Sequence, residues 1–198
     1  MRWLLILVLC IPVAHANEPA RATTFGLQLH IAPGTDAPIV TPAWIAAQVA
    51  MANHQFAALD VGFHVVGTTE LPPSAAHLRT RADRTALAPV VTGRVIHVFV
   101  TGKLDNVDDD APVYGVTWRA GARKFVILAA NARDIVLAHE LGHVFGLPHS
   151  THPISIMNKA KRAEPPLADR RFADEELAAM RGVIKRLVRT KALDNVSR

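Results

Sequence analysis

The stretch His139-Glu140-Leu141-Gly142-His143-Val144-Phe145-Gly146-Leu147-Pro148-His149 decides how this sequence is read. On a helix, residues four apart share a face, so His139 and His143 point the same way, one turn apart. Imidazole nitrogen binds zinc at about 2.0–2.1 Å, and two rings so placed can share one ion. Glu140, beside the first of them, can reach a metal-bound water rather than the metal. Gly146 breaks the helix, with a positive φ that glycine adopts without strain, and the turn there brings back His149 as a third ligand. Three protein ligands leave a fourth position for water, the pattern of a catalytic rather than a structural zinc site. The chemistry expected is peptide-bond hydrolysis by metal-activated water, with Glu140 as general base passing the proton to the leaving amine.

Outward from this stretch, the pattern is that of strands and helices in one layered unit. Phe25–Ala32, Val61–Gly67 and Val95–Thr101 are rich in strand formers. Tyr114–Arg119 and Lys124–Ala129 form a hairpin around Ala120-Gly121-Ala122. Thr41 caps a first helix with Pro42 at its first position, and Trp44, Ile45, Val49, Phe56 and Leu59 recur at helical spacing up to about Asp60–Gly62. The histidine-bearing helix runs from about Ala132 to Phe145. A last helix, Asp174–Thr190, has an acidic start and a basic end that suit its dipole. The connection from Gly67 to about Pro89 is Pro-containing and Arg-rich, and Lys103–Pro112 is an acidic loop. The order of elements predicts an α/β (α+β) fold with helices packed on one sheet.

The eleven residues from His139 to His149 resemble the long zinc signature of the metzincin metallopeptidases. Ser155-Ile156-Met157-Asn158 is similar to the methionine turn that follows it, and Ser150 and the eight-residue step from His149 to Met157 resemble the matrixin branch. The resemblance is specific over about Ile135–Asn158 and architectural elsewhere. It implies a twisted five-stranded, mostly parallel sheet, an active-site helix after the last strand and then a C-terminal helix. It implies that Met157 is the hydrophobic base beneath the zinc, not a ligand. It also implies that substrate binds extended along the strand Tyr114–Trp118, with Tyr114, Gly115 and Val116 as contacts. The chain departs from the family in having Asn158 where some branches carry a Met-turn tyrosine. No ligand set for the second zinc or the calcium loops of animal matrixins is recognisable.

The 198 residues suffice for one domain with a core and are short for two. Residues 1–16 combine Arg2, an apolar run from Trp3 to Ile11 and the small-x-small signal Ala14-His15-Ala16. That is the pattern of an export signal cut after Ala16, and the run is too short to span a bilayer core of about 30 Å. A secreted or periplasmic protein is expected, with residues 17–198 as a single catalytic domain. The sole cysteine, Cys10, lies inside the signal, so disulfides and thiolate ligands are not expected in the mature chain.

His152, three residues after His149, could compete for the metal, or lie at the surface or behind the ligands. His30, His54, His64, His77 and His97 lack ligand spacing and read as structural. Asp105, Asp108, Asp109 and Asp110 could coordinate calcium through oxygen, but no EF-hand spacing is present and a solvated loop is the simpler reading. The net charge of +5 is moderate. Lys159, Lys161, Arg162, Arg170 and Arg171, with the end of the last helix, make the C-terminal part basic, which allows contact with an anionic surface. No aromatic platform accompanies these charges, so nucleic acid is not an expected partner, and no further segment is apolar enough to cross a membrane. A monomer acting on protein or peptide is expected. Two alternatives stay open: a zinc-bearing binding protein without catalysis, and a hydrolase of cell-wall peptide.

Overall fold

β1 (Thr23–Ile31) runs through the middle of a sheet because its side chains serve two buried layers. Phe25, Leu27 and Leu29 enter one layer, while His30 stacks on Phe99 in the other, with ring centroids 4.6 Å apart. The structure is a computed structural model that describes residues 22–196. The export signal and its cleavage after Ala16 lie outside the described residues.

α1 (Pro42–Phe56) starts as expected, Thr41 Oγ1 accepting the Trp44 N–H at 3.1 Å. It stops at Phe56, and Ala57–Leu59 tightens into a 3₁₀ turn before Asp60 reverses the chain at φ 54°. β2 (Val61–Glu70) runs three residues beyond the expected Gly67. The Pro-containing, Arg-rich connection after β2 contains β3 (His77–Leu78) and α2 (Arg81–Thr85). Five residues are too few for a periodic signature, and α2 rests instead on the reciprocal Thr80–Asp83 cap. β4 (Ile96–Thr101) is buried throughout. β5 (Lys103–Leu104), at the head of the acidic loop, pairs with β3. β6 (Gly115–Ala120) and β7 (Arg123–Ala129) form the expected hairpin, with Gly121 at φ 61° in its turn.

The main sheet has the order β2-β1-β4-β7-β6. The first four strands are parallel, and β6 joins β7 antiparallel as the edge. This is the five-stranded mixed sheet that the family resemblance implies. The opposite edge, β2, is covered at Phe63 by Asn53 of α1. Its amide nitrogen donates to the Phe63 carbonyl at 3.2 Å and its oxygen accepts the Phe63 N–H at 2.7 Å.

α3 (Ile135–Val144) and α4 (Asp174–Arg189) complete the helical layer. Phe25, Phe56, Phe63, Phe145 and Phe172 interlock there with centroids about 5–6 Å apart, a range favourable for tilted and edge-on rings. α3 begins three residues later than expected, because α1 claims the backbone before it. Gln48 Nε2 donates to the Arg133 carbonyl at 2.9 Å and Trp44 Nε1 to that of Ala132 at 3.0 Å. Gln48 Oε1 accepts the Leu137 N–H at 3.1 Å, capping α3 from a neighbouring helix. No helix among the described residues is long and apolar enough to cross a membrane.

Candidate metal centre and active site

α3 presents His139 and His143 one turn apart, and its exit presents His149. The chain leaves at Phe145, Gly146 takes φ 95° as expected, and Leu147 N–H bonds back to the Gly142 carbonyl at 3.0 Å. The three side chains offer ligand nitrogens that all lie within 4.8 Å of one another. The closest pair, His143 Nε2 and His149 Nε2, are 3.3 Å apart. Two donors on one tetrahedral zinc at about 2.0–2.1 Å would be separated by roughly that distance.

The tautomers suit this use. His139 Nδ1 donates to the Ile156 carbonyl and His143 Nδ1 to the Leu147 carbonyl, each at 2.7 Å. A ring that donates from Nδ1 and is neutral keeps the Nε2 lone pair for a metal. Burial, the largest cause in each case, holds all three rings below the ordinary histidine value, His139 at about 4. The donor set therefore fits zinc: three neutral imidazoles, two of them oriented by backbone carbonyls.

Glu140 is only 4 % exposed. Desolvation pushes its carboxyl up to about 7, against the opposing effect of hydrogen bonds from Thr117. Thr117 Oγ1, on β6, lies 2.9 Å from Glu140 Oε2 and 2.8 Å from the Glu140 carbonyl oxygen. Gly115, two residues earlier, lets the strand approach the helix. A Cβ there would sit 2.6 Å from Val136 Cγ1 and 3.0 Å from Glu140 Oε1.

Beneath the helix, Met157 is fully buried. A Cβ on Gly142 would come within 2.6 Å of Met157 Sδ, so the glycine makes room for the methionine between the turns that carry the two helical histidines. The turn is held by Ser155, whose hydroxyl donates to the Glu176 carboxylate of α4 at 2.7 Å and accepts the Met157 N–H at 2.9 Å. Glu176 Oε2 also takes the Ala173 N–H at 2.8 Å. At the far end of α3, Lys124 Nζ donates to the carbonyls of His143 and Val144 at 3.1 and 3.3 Å. Thr117 and Lys124 carry no local sequence signal, and although Ser155 lies in the methionine-turn motif and Glu176 in the acidic start of the last helix, their meeting is a contact distant in the chain.

The lesser candidates fall elsewhere. His152 is exposed and stands outside the triad. In the acidic loop, Asp105 bonds to His77 at 2.9 Å and Lys103 at 3.3 Å, and Asp108 pairs with Arg81. Arg162 spends its guanidinium on the carbonyls of Pro153, Ser155, Asn158 and Ala160, so this part of the basic segment braces the loop after Met157. Tyr114 is exposed, and Gly115 and Val116 are half-buried, at the start of edge strand β6.

Comparison with known proteins agrees with this geometry. The matrixin model of the M10 peptidases matches residues 102–174, the segment carrying β6, the triad and the methionine turn. No curated protein is similar enough in sequence to match. Among solved structures, archaemetzincin from Methanopyrus kandleri is similar with a TM-score of 0.56 at 18% identity, over 83% of this chain and 98% of that one. Metalloproteinase-II from Bacteroides fragilis gives 0.58 at 12% identity, over 85% of this chain and 55% of that one. Mirolysin gives 0.51 at 14%, over 66% and 65%. At such identities the likeness is one of fold. What this chain shares with zinc metallopeptidases of the metzincin type is a matrixin-like segment over residues 102–174 that carries a histidine triad able to hold a metal, set in a fold similar to that of archaemetzincin.

Proposed function

We propose that the chain is an exported endopeptidase, with residues 17–198 as its catalytic domain, zinc held by His139, His143 and His149, and Glu140 as general base. The observation that carries this reading is the buried carboxylate of Glu140 next to a triad of neutral imidazoles. Zinc in the triad would supply the Lewis acidity that activates water near neutral pH and polarises the scissile carbonyl. Glu140 takes a proton from the attacking water as its oxygen bonds to the carbonyl carbon. As the C–N bond breaks, the same proton passes to the leaving nitrogen. Glu140's raised proton affinity suits both halves of that transfer. Met157 forms the apolar floor under the metal.

The peptide lies extended along β6, pairing its backbone with the outer edge near Tyr114, Gly115 and Val116. Strand addition of this kind provides affinity through the main chain and leaves specificity to side-chain pockets. Export rests on the apolar run and Ala14-His15-Ala16 of residues 1–16.

The test is Glu140→Gln in the full chain, measured for zinc content and for cleavage of a peptide library. Zinc should stay at one equivalent and turnover should fall by at least about 10²-fold, the low end for loss of a general base. Turnover equal to the wild type would overturn the assignment.

A further inference from the structure

Glu140 is a long side chain whose carboxylate could point in several directions, yet catalysis needs one oxygen facing the water and the other out of the way. Among the described residues, the side-chain hydrogen bond found to that carboxylate comes from Thr117 Oγ1, 2.9 Å from Oε2. The hydroxyl has a single hydrogen and two acceptors in reach, Oε2 and the Glu140 carbonyl at 2.8 Å. An ionised carboxylate draws that hydrogen more strongly than a neutral carbonyl does. On the other side, Oε1 packs against the backbone of Gly115, close enough that a Cβ there would stand only 3.0 Å away. The two oxygens are thus in different surroundings, one anchored by the Thr117 hydroxyl and one packed beside Gly115.

We propose that Thr117 is a positioning residue for peptide hydrolysis: its hydroxyl anchors Oε2 of Glu140 and so leaves Oε1 to carry the proton between water and leaving amine. Thr117 lies on β6, the edge strand along which the peptide is proposed to pair, so one strand registers both the substrate and the base. A displacement of reacting groups by about 1 Å can cost about 10²-fold in rate, which is the error this arrangement prevents. The inference rests on Glu140 being the base.

The experiment uses zinc-loaded full chain with β-casein, then a quenched fluorescent peptide spanning its main cleavage site. Thr117→Val keeps the shape and removes the hydroxyl. Its kcat should fall about tenfold or more, as expected for loss of a hydrogen bond to a charged group. KM should stay within about twofold and zinc affinity should be unchanged. Thr117→Ser should recover most of kcat, and Thr117→Ala, a second hydroxyl-free variant, should behave as Thr117→Val does. Placed on Glu140→Gln, Thr117→Val should cost nothing further, since the group it orients is gone. Wild-type kcat in both hydroxyl-free variants, no recovery with serine, or an undiminished further loss on Glu140→Gln would each overturn the role of Thr117. Wild-type turnover of Glu140→Gln alone would instead sink the reading on which it rests.

Discussion

His139 Nδ1 donates to the carbonyl oxygen of Ile156 at 2.7 Å, joining the first histidine of the triad to the residue before Met157. One contact orients the ring, selects its tautomer and ties α3 to the methionine turn. The turn is tied in turn to α4 through Ser155 and Glu176. The candidate metal site is thus held by three successive elements, α3, the methionine turn and α4, and each bond between them can be tested.

The third ligand is the first test. His149→Ala should weaken zinc binding by at least about a hundredfold, beyond the cost of losing an outer partner of a ligand. Turnover at limiting zinc should fall with it. His152→Ala should leave affinity close to the wild type, as expected of an exposed side chain outside the triad. Competition with a chromophoric chelator measures both. A large loss in His152→Ala with none in His149→Ala would exchange their roles.

Glu176 is the second. Its carboxylate takes the Ser155 hydroxyl and the Ala173 N–H in a buried site. Glu176→Ala should cost about 1–3 kcal/mol in urea denaturation, the penalty for stranding buried donors. Because Ser155 also holds the Met157 N–H, zinc affinity should drop even in protein that is fully folded. Stability within about 0.5 kcal/mol of the wild type, the range for inert surface changes, would show that the tether is dispensable.

The third concerns a pair of histidines away from the metal. His97 Nε2 lies 2.7 Å from the Thr92 carbonyl, which can only accept, so in the neutral pair His97 Nδ1 is left to accept from His30 Nε2 at 2.8 Å. His30 Nδ1 then accepts from the Thr69 hydroxyl at 2.7 Å. Burial, with His97 adding to it, lowers His30 to about 4, and burial also lowers His97. The unfolded chain titrates near 6.5, so between that pH and about 4 it binds a proton that the folded chain does not. The stabilising contribution of neutral His30 is therefore complete above about 6.5 and lost as pH falls through about 4. Long-range ¹H–¹⁵N spectra should show the His30 ring neutral at pH 5.5. A His30 midpoint at its ordinary value would refute the buried chain.

The metal-binding stretch was legible because its chemistry is local. Spacing of four on a helix and a glycine break act within eleven residues, so His139, Glu140, His143 and His149 could be picked out from order alone. The later start of α3 was not legible, since the carbonyls of Ala132 and Arg133 are claimed by Trp44 and Gln48. α2 escaped notice because five residues cannot display a helical period.

By itself, then, the sequence determined the main strands and helices, the identity of the zinc-competent histidines and the turn at Gly146, all of which follow from side-chain period, capping and backbone preference over short distances, while the five-stranded sheet was implied by the family resemblance. Only the tertiary structure decided that β6 is the edge, that Thr117 and Gly115 frame the two oxygens of Glu140, and that Ser155 meets Glu176. The physical reason is that a lone threonine or a lone glutamate in a sequence has many possible partners. A hydroxyl becomes specific only when packing removes water and leaves it a single charged acceptor within 3 Å, as at Thr117 and Glu140.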